Sequence, residues 1–196
     1  MDNETAPLSR TVAGRPFPAV GRWVFEGGNS SIAFWVKHMM ISKVRGAFRD
    51  FSGEIVVAPD PADSRATARI AAASIDTGMP YRDKDLRGGD FLDVERHPEI
   101  TFVSTGLTEA GDDWELRGEL TIAGTTREVS LAVEFAGAAV DPWGNRKAVF
   151  SASTKLNRED WGLTYNKAIE SGGVLIGSAV TIDIEIQAKP ATGEGE

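Results

Sequence analysis

The chain has 196 residues, 41% hydrophobic and 26% charged, with a net charge of −8 and no cysteine. That length fits one large all-β domain able to bury a sizeable core. The acidic balance argues against a nucleic-acid partner, which needs clustered Lys and Arg, and the missing thiols exclude disulfides, thiolate catalysis and Cys-ligated metals. Residues 1–20 mix Pro, Gly and Ser with polar groups and show no apolar period, which predicts a disordered leader. The first ten residues are polar and acidic, so no secretory signal is expected and a cytoplasmic location follows as the expectation. No window offers the eighteen or so unbroken apolar residues of a membrane-spanning helix.

Strands are predicted at 22–26, 31–38, 44–58, 65–75, 100–107, 113–122, 128–135, 147–156 and 176–187. The signal is period two. Val129, Leu131, Val133 and Phe135 alternate with Glu128, Ser130 and Glu134, and Val180, Ile182, Ile184 and Ile186 alternate with Thr181, Asp183, Glu185 and Gln187. Successive strand side chains point to opposite faces, so each segment has one dry face and one wet face. In 44–58 the parity switches, from Val44, Gly46 and Phe48 to Ile55 and Val57, which predicts a bulge near 50–53. Residues 81–97 break the alternation. A short helix is predicted at 81–87, then a turn and a brief helical stretch before Pro98, and so long a connection is usually a lid or plug. Residues 21–188 read as a single domain and 189–196 as a flexible tail.

Many antiparallel strands with one wet face must stack as two sheets or close into a barrel, and a bulged long strand favours the barrel. Ala66, Ala68 and Ala72 share a dry face with Ile70, Ala148 and Ala152 flank Phe150, and Gly46 and Gly118 fall on presumed inward positions. An eight-stranded barrel is just wide enough to be filled by side chains or to hold one small ligand. Small inward residues fit either a hollow interior or a tapering filled one. A hollow one would take an apolar guest, since each five-carbon isoprene unit contributes about 3–4 kcal/mol on burial before ordering losses.

Residues able to do chemistry are few. His38 continues the inward register of Ile32, Phe34 and Val36, while His97 precedes Pro98, and the two carry no metal-ligand spacing. Asp83 with Asp85, Asp90 with Asp93, and Glu159 with Asp160 form acid pairs, but Arg82, Arg87, Arg96 and Arg158 stand beside them as natural ion-pair partners. Asn157-Arg-Glu-Asp-Trp-Gly162 suits a turn at a barrel rim. No nucleophile elbow, P-loop or dinucleotide fingerprint is present. The expectation is no catalytic residue, no metal and no cofactor.

The run Ser31-Ile-Ala-Phe-Trp-Val-Lys-His38 followed by Val44-Arg-Gly-Ala-Phe48 resembles the opening of the YceI-like family of bacterial lipid-binding proteins. In order there follow Ser74-Ile-Asp-Thr77, Arg82-Asp83, Leu86-Arg87, Asp90-Phe-Leu-Asp93, His97-Pro98, Gly118-Glu-Leu-Thr-Ile122, Asn157-Arg-Glu-Asp-Trp-Gly162 and Val180-Thr-Ile182. The resemblance spans about residues 23–188. It implies an extended lipocalin-like, eight-stranded antiparallel β-barrel with a short helical insertion near 81–97. It further implies a polyisoprenoid or isoprenoid quinone held inside and frequent homodimers; exchange of such a lipid brings the expectation of transient membrane contact. Phe34, Val36, Phe48, Ile70, Phe102, Leu120, Phe150 and Ile182 are the expected cavity wall. His38, Arg82, Asp83, Asn157 and Trp161 are expected near a mouth. Two other readings stay open: an enzyme acting on an isoprenoid head group, and a stress-related structural dimer whose cavity is incidental.

Overall fold

A computed structural model describes residues 7–170 and 172–191. Thirteen strands follow in order: β1 (Ser9–Val12), β2 (Arg15–Pro18), β3 (Gly21–Phe25), β4 (Ser31–His38), β5 (Ser42–Phe48), β6 (Phe51–Val57), β7 (Arg65–Ala71), β8 (Ile75–Asp76), β9 (Glu99–Ala110), β10 (Asp113–Ile122), β11 (Thr125–Val140), β12 (Arg146–Asn157) and β13 (Ile176–Pro190). One helix, α1 (Pro80–Arg87), lies between β8 and β9. The sheet runs β12-β11-β10-β9-β7-β6-β3-β13, and β13 pairs back with β12, so eight antiparallel strands close into a barrel. The expected fold class is therefore observed. Closure satisfies every strand edge at this level, and the alternating sequence puts its apolar set inside.

Three neighbouring strands break at one level. The chain turns at Gly27–Asn29 between β3 and β4, at Arg49 and Asp50 between β5 and β6, and at Ala72–Ser74 between β7 and β8. The break is stitched across: Arg49 N–H donates to Ser74 O (3.1 Å) and Ala71 N–H to Asp50 O (2.9 Å). β13 runs unbroken past it, pairing with β4 through Ile176–Glu185 and with β3 through Ala188–Pro190. The parity switch is thus a corner and not the expected bulge. Two residues carry the chain round it, so Phe48 and Phe51 both pack into the core. Above the corner the ladder β4–β5–β8 ends short of β9, and α1 with residues 88–97 fills the gap.

The expected disordered leader is corrected. From Ser9 to Pro18 the chain forms the β1–β2 hairpin, which lies across the end of the barrel where β9 turns into β10. Phe17 is only 4% exposed and its ring sits 4.9 Å from that of Trp114. Arg10 stands over Phe17 and Arg15 over Trp114, each 5.4 Å from the ring centroid. Arg10 also donates to Ala58 O and Pro59 O, and Arg15 to Asp113 O, so the hairpin is tied to two turns of this end. Four-residue strands holding two prolines carry too few alternating positions to show a period. Two smaller corrections follow: residues 88–97 are turns without the brief helical stretch, and β13 reaches Pro190, past the start of the expected tail. The remaining leader and tail, 1–6 and 192–196, lie outside the described residues.

Removing the Phe17 ring leaves a hole in the base and strips Trp114 of its partner. Phe17→Ala is expected to lower stability by about 3–5 kcal/mol, read by urea unfolding. An unchanged midpoint would mean that the hairpin does not belong to the cooperative core.

Candidate functional site

The interior is hollow. A cavity of about 640 Å³ runs from Phe17, Trp114 and Phe150 at the base, past Ile70, Phe102 and Ile184, to His38, Tyr81 and Ile176 at the other end. Its volume lies within the range of pockets that bury a whole small molecule. Strand β9 has 12 residues, which at about 3.3 Å each and a tilt of about 40° gives roughly 30 Å of depth. The lining is almost wholly aliphatic and aromatic. Phe34, Val36, Phe102, Leu116, Leu120 and Ile182 are only half-buried although they point inward, because they face open lumen instead of one another. No described large side chain is less than 2% exposed.

Glycines shape this wall by receiving aromatic rings. A Cβ on Gly46 would lie 2.5 Å from the Phe34 ring, one on Gly53 2.4 Å from Phe25, and one on Gly118 2.4 Å from Phe102. Gly46 and Gly118 fall on inward positions as expected, but they do not contribute space directly. Each is a notch in which a phenylalanine lies against its own wall, and the lumen stays clear because the ring is tucked aside. Ala66, Ala68 and Ala152 do border the lumen, whereas Ala148 is fully buried in the base cluster.

The structure places all eight expected wall residues on the cavity: Phe34, Val36, Phe48, Ile70, Phe102, Leu120, Phe150 and Ile182. His38, Arg82 and Trp161 also border it. Trp161 is buried with its Nε1 donating to Leu120 O (3.0 Å), so it acts as wall with no free polar end. Asp83 and Asn157 do not border the lumen. Asp83 is the buried residue of α1 and accepts from Thr77 N (2.9 Å) and Thr77 Oγ1 (2.5 Å), while Arg82 grips the same threonine from Nε (2.8 Å). Asn157 is exposed and caps the turn Arg158–Trp161 by accepting from Glu159 N. His97 packs on the β10–β11 turn, where a Cβ on Gly124 would meet its ring at 2.6 Å.

Sequence reasoning missed Arg158, Leu163, Tyr165 and Leu175, which also line the cavity. Arg158 is buried and donates to three carbonyls, Gly177 O (3.0 Å), Ile176 O (3.4 Å) and Leu163 O, so it fixes the connection between β12 and β13 at the mouth. Burial pushes its guanidinium down from the ordinary value, an effect the Glu159 charge partly offsets. The missed residues sit on an irregular segment with no period, and only the arginine following a turn-forming Asn could have marked it.

A closed antiparallel barrel with a deep, almost wholly apolar lumen defines the molecule as a hollow β-barrel. The comparisons with known proteins agree. Residues 23–188 match the model of the YceI-like domain, and the chain belongs to this family. A UPF0312 protein of Staphylococcus aureus is 36% identical over 165 residues, covering 82% of this chain and 93% of the relative. A UPF0312 protein of Pectobacterium atrosepticum is 36% identical over 161 residues, covering 82% and 84%. Among solved structures, the YCEI protein of Campylobacter jejuni aligns with TM-score 0.68 at 29% identity, covering 80% of this chain and 90% of its own. BcnA of Burkholderia cenocepacia aligns with TM-score 0.74 at 23% identity, covering 84% and 99%. A polyisoprenoid binding domain from Saccharophagus degradans aligns with TM-score 0.63 at 14% identity, covering 88% and 99%. The last two likenesses speak to the fold alone.

The notch geometry makes a definite prediction. Gly118→Ala brings a methyl against the Phe102 ring and within 2.7 Å of Val103 O, which is backbone and yields little. A loss of about 1–3 kcal/mol is expected by thermal or urea unfolding. A neutral substitution would show that the ring is not seated in the notch.

Proposed function

We propose that this protein binds a long-chain polyisoprenoid lipid or isoprenoid quinone in the barrel and stores or transports it without chemical change. The observation that carries the reading is the 640 Å³ apolar lumen running from base to mouth. Each isoprene unit buried there contributes about 3–4 kcal/mol, so a few units offset the cost of immobilising a flexible chain. The elongated shape suits a chain better than a compact polycycle. Carriage without chemistry is supported by how the polar groups near the mouth are used. Asp83 and Arg82 hold Thr77, Arg158 holds three carbonyls and Trp161 holds Leu120 O, which leaves few of them to act on a ligand.

Organic extraction of purified protein followed by mass spectrometry is expected to yield a prenyl-chain lipid at near-stoichiometric amount. Ala68 borders the lumen opposite Gly53 and Phe102, so Ala68→Phe drives a ring into the bore. That variant should retain its fold and lose most of the extracted lipid. Lipid-free protein that also refuses added prenyl lipids, or full loading of the Ala68→Phe variant, would defeat the proposal.

A further inference from the structure

Large apolar side chains are exposed around the mouth. Met39, Met40 and Ile41 form the tip of the β4–β5 hairpin, Tyr81 opens α1, and Val174 lies on the loop before β13. Ile41 is 87% exposed. The tip joins the loop directly, since Met39 N–H donates to Leu175 O (2.8 Å) and Leu175 lines the lumen. The apolar rim is therefore continuous with the apolar bore.

The turn that carries this tip is a costly one. Ile41 N–H donates to His38 O (3.2 Å), and the two central residues, Met39 and Met40, have φ of 52° and 62°. Both occupy the left-handed region, as in a type I′ turn, where Asn-Gly is preferred. Two other hairpin turns of this chain with left-handed central residues, Ala13-Gly14 and Ala123-Gly124, put glycine second. Here two methionines stand instead, exposed at the tip of the hairpin beside Ile41. Folding gains nothing from that choice, and strain kept at an exposed site points to use outside the fold.

Charge gives the partner its chemistry. On the outer face of the hairpin Lys37 lies directly across from Lys43, and Trp35 across from Arg45. Like charges in directly opposed positions destabilise a sheet. None of the three cations has a carboxylate partner among the described residues; Lys43 instead stands 3.8 Å over the Trp35 ring. Residues 35–45 hold no acid at all in a chain of net charge −8, and Asp76, which shares a surface groove with Arg45, is held by Arg49 (3.0 Å). From the tip downward the order is apolar, cationic, aromatic. An apolar point backed by cations suits a bilayer surface, where hydrocarbon lies beneath a layer of phosphates.

We infer that the β4–β5 hairpin, with Tyr81 and Val174 beside it, is a docking surface for an anionic lipid bilayer. Docking there presses the mouth of the lumen against the membrane. Its purpose as a loading step rests on the carrier reading above, while the binding itself does not.

The full chain is sedimented with large vesicles of phosphatidylcholine alone and of phosphatidylcholine with phosphatidylglycerol. Partition onto the phosphatidylglycerol vesicles, weakened by salt, is expected. Lys43→Glu should reduce it about fivefold or more, and Ile41→Asp at least tenfold. Trp143 is 84% exposed on the β11–β12 turn at the opposite end, so Trp143→Asp should change nothing. All three positions are solvent-exposed, and an unchanged thermal midpoint confirms that each variant is folded. Equal partition onto both vesicle types, or undiminished binding by Ile41→Asp, overturns the surface. So does self-association through the hairpin tip in place of vesicle binding. Prenyl lipid in the barrel of a protein that ignores vesicles overturns the docking surface alone. Vesicle binding by a barrel that never holds prenyl lipid overturns the carrier reading and leaves the surface standing.

Discussion

Closing eight strands into one hydrogen-bonded ring fixes the circumference, and the circumference decides everything inside it. The pairing of β12 with β13 completes the ring, and β13 crosses both halves of the barrel, joined to β4 above the corner and β3 below it. With the backbone groups satisfied in the ladder, the inward side chains meet the width that is left. Here that width exceeds what they fill, so Leu116, Leu120 and Ile182 retain exposed surface toward the lumen. An apolar void of this kind is an unspent driving force: it wins free energy only when hydrocarbon covers it.

The two ends deal with this surplus differently. At the base the sequence spends bulk, with Phe17, Trp23, Trp114 and Phe150 gathered in one cluster. Toward the middle it withdraws bulk, laying Phe34 and Phe102 over glycines and placing alanine at 66, 68 and 152. At the mouth it spends polar groups on holding loops still. Arg87 donates to Ala73 O and Ile75 O, and Arg158 to the carbonyls around Ile176, so the rim keeps its shape without reaching into the bore.

How much was legible in the sequence follows from which signals survive in one dimension. Alternation along the strands, clearest in β10 to β13, gave them their faces, and through the faces the residues that border the lumen. Length and charge in 81–97 marked the insertion. The hairpin β1–β2 escaped because four residues around Pro16 and Pro18 cannot show a period, and its burial depends on Trp114, about a hundred residues away. The corner at Arg49 and Asp50 looked like a bulge since both shift parity by one. Asp83 and Asn157 were placed at the mouth as polar residues near it, yet whether a carboxylate faces ligand or a threonine is set by packing that no spacing reports. The glycine notches left a choice between space and taper for the same reason: what a missing side chain makes room for is known only once the neighbouring ring is seen to occupy it.

The hairpin that covers the base makes the barrel a blind tube. A flexible chain entering such a tube by its tail would set its distal end toward Phe17 and Trp114 and leave any polar terminus at the rim. Depth then works as a gauge: a guest too short leaves wall uncovered, and one too long protrudes. The position of a single phenylalanine thereby sets how much chain such a tube could accept.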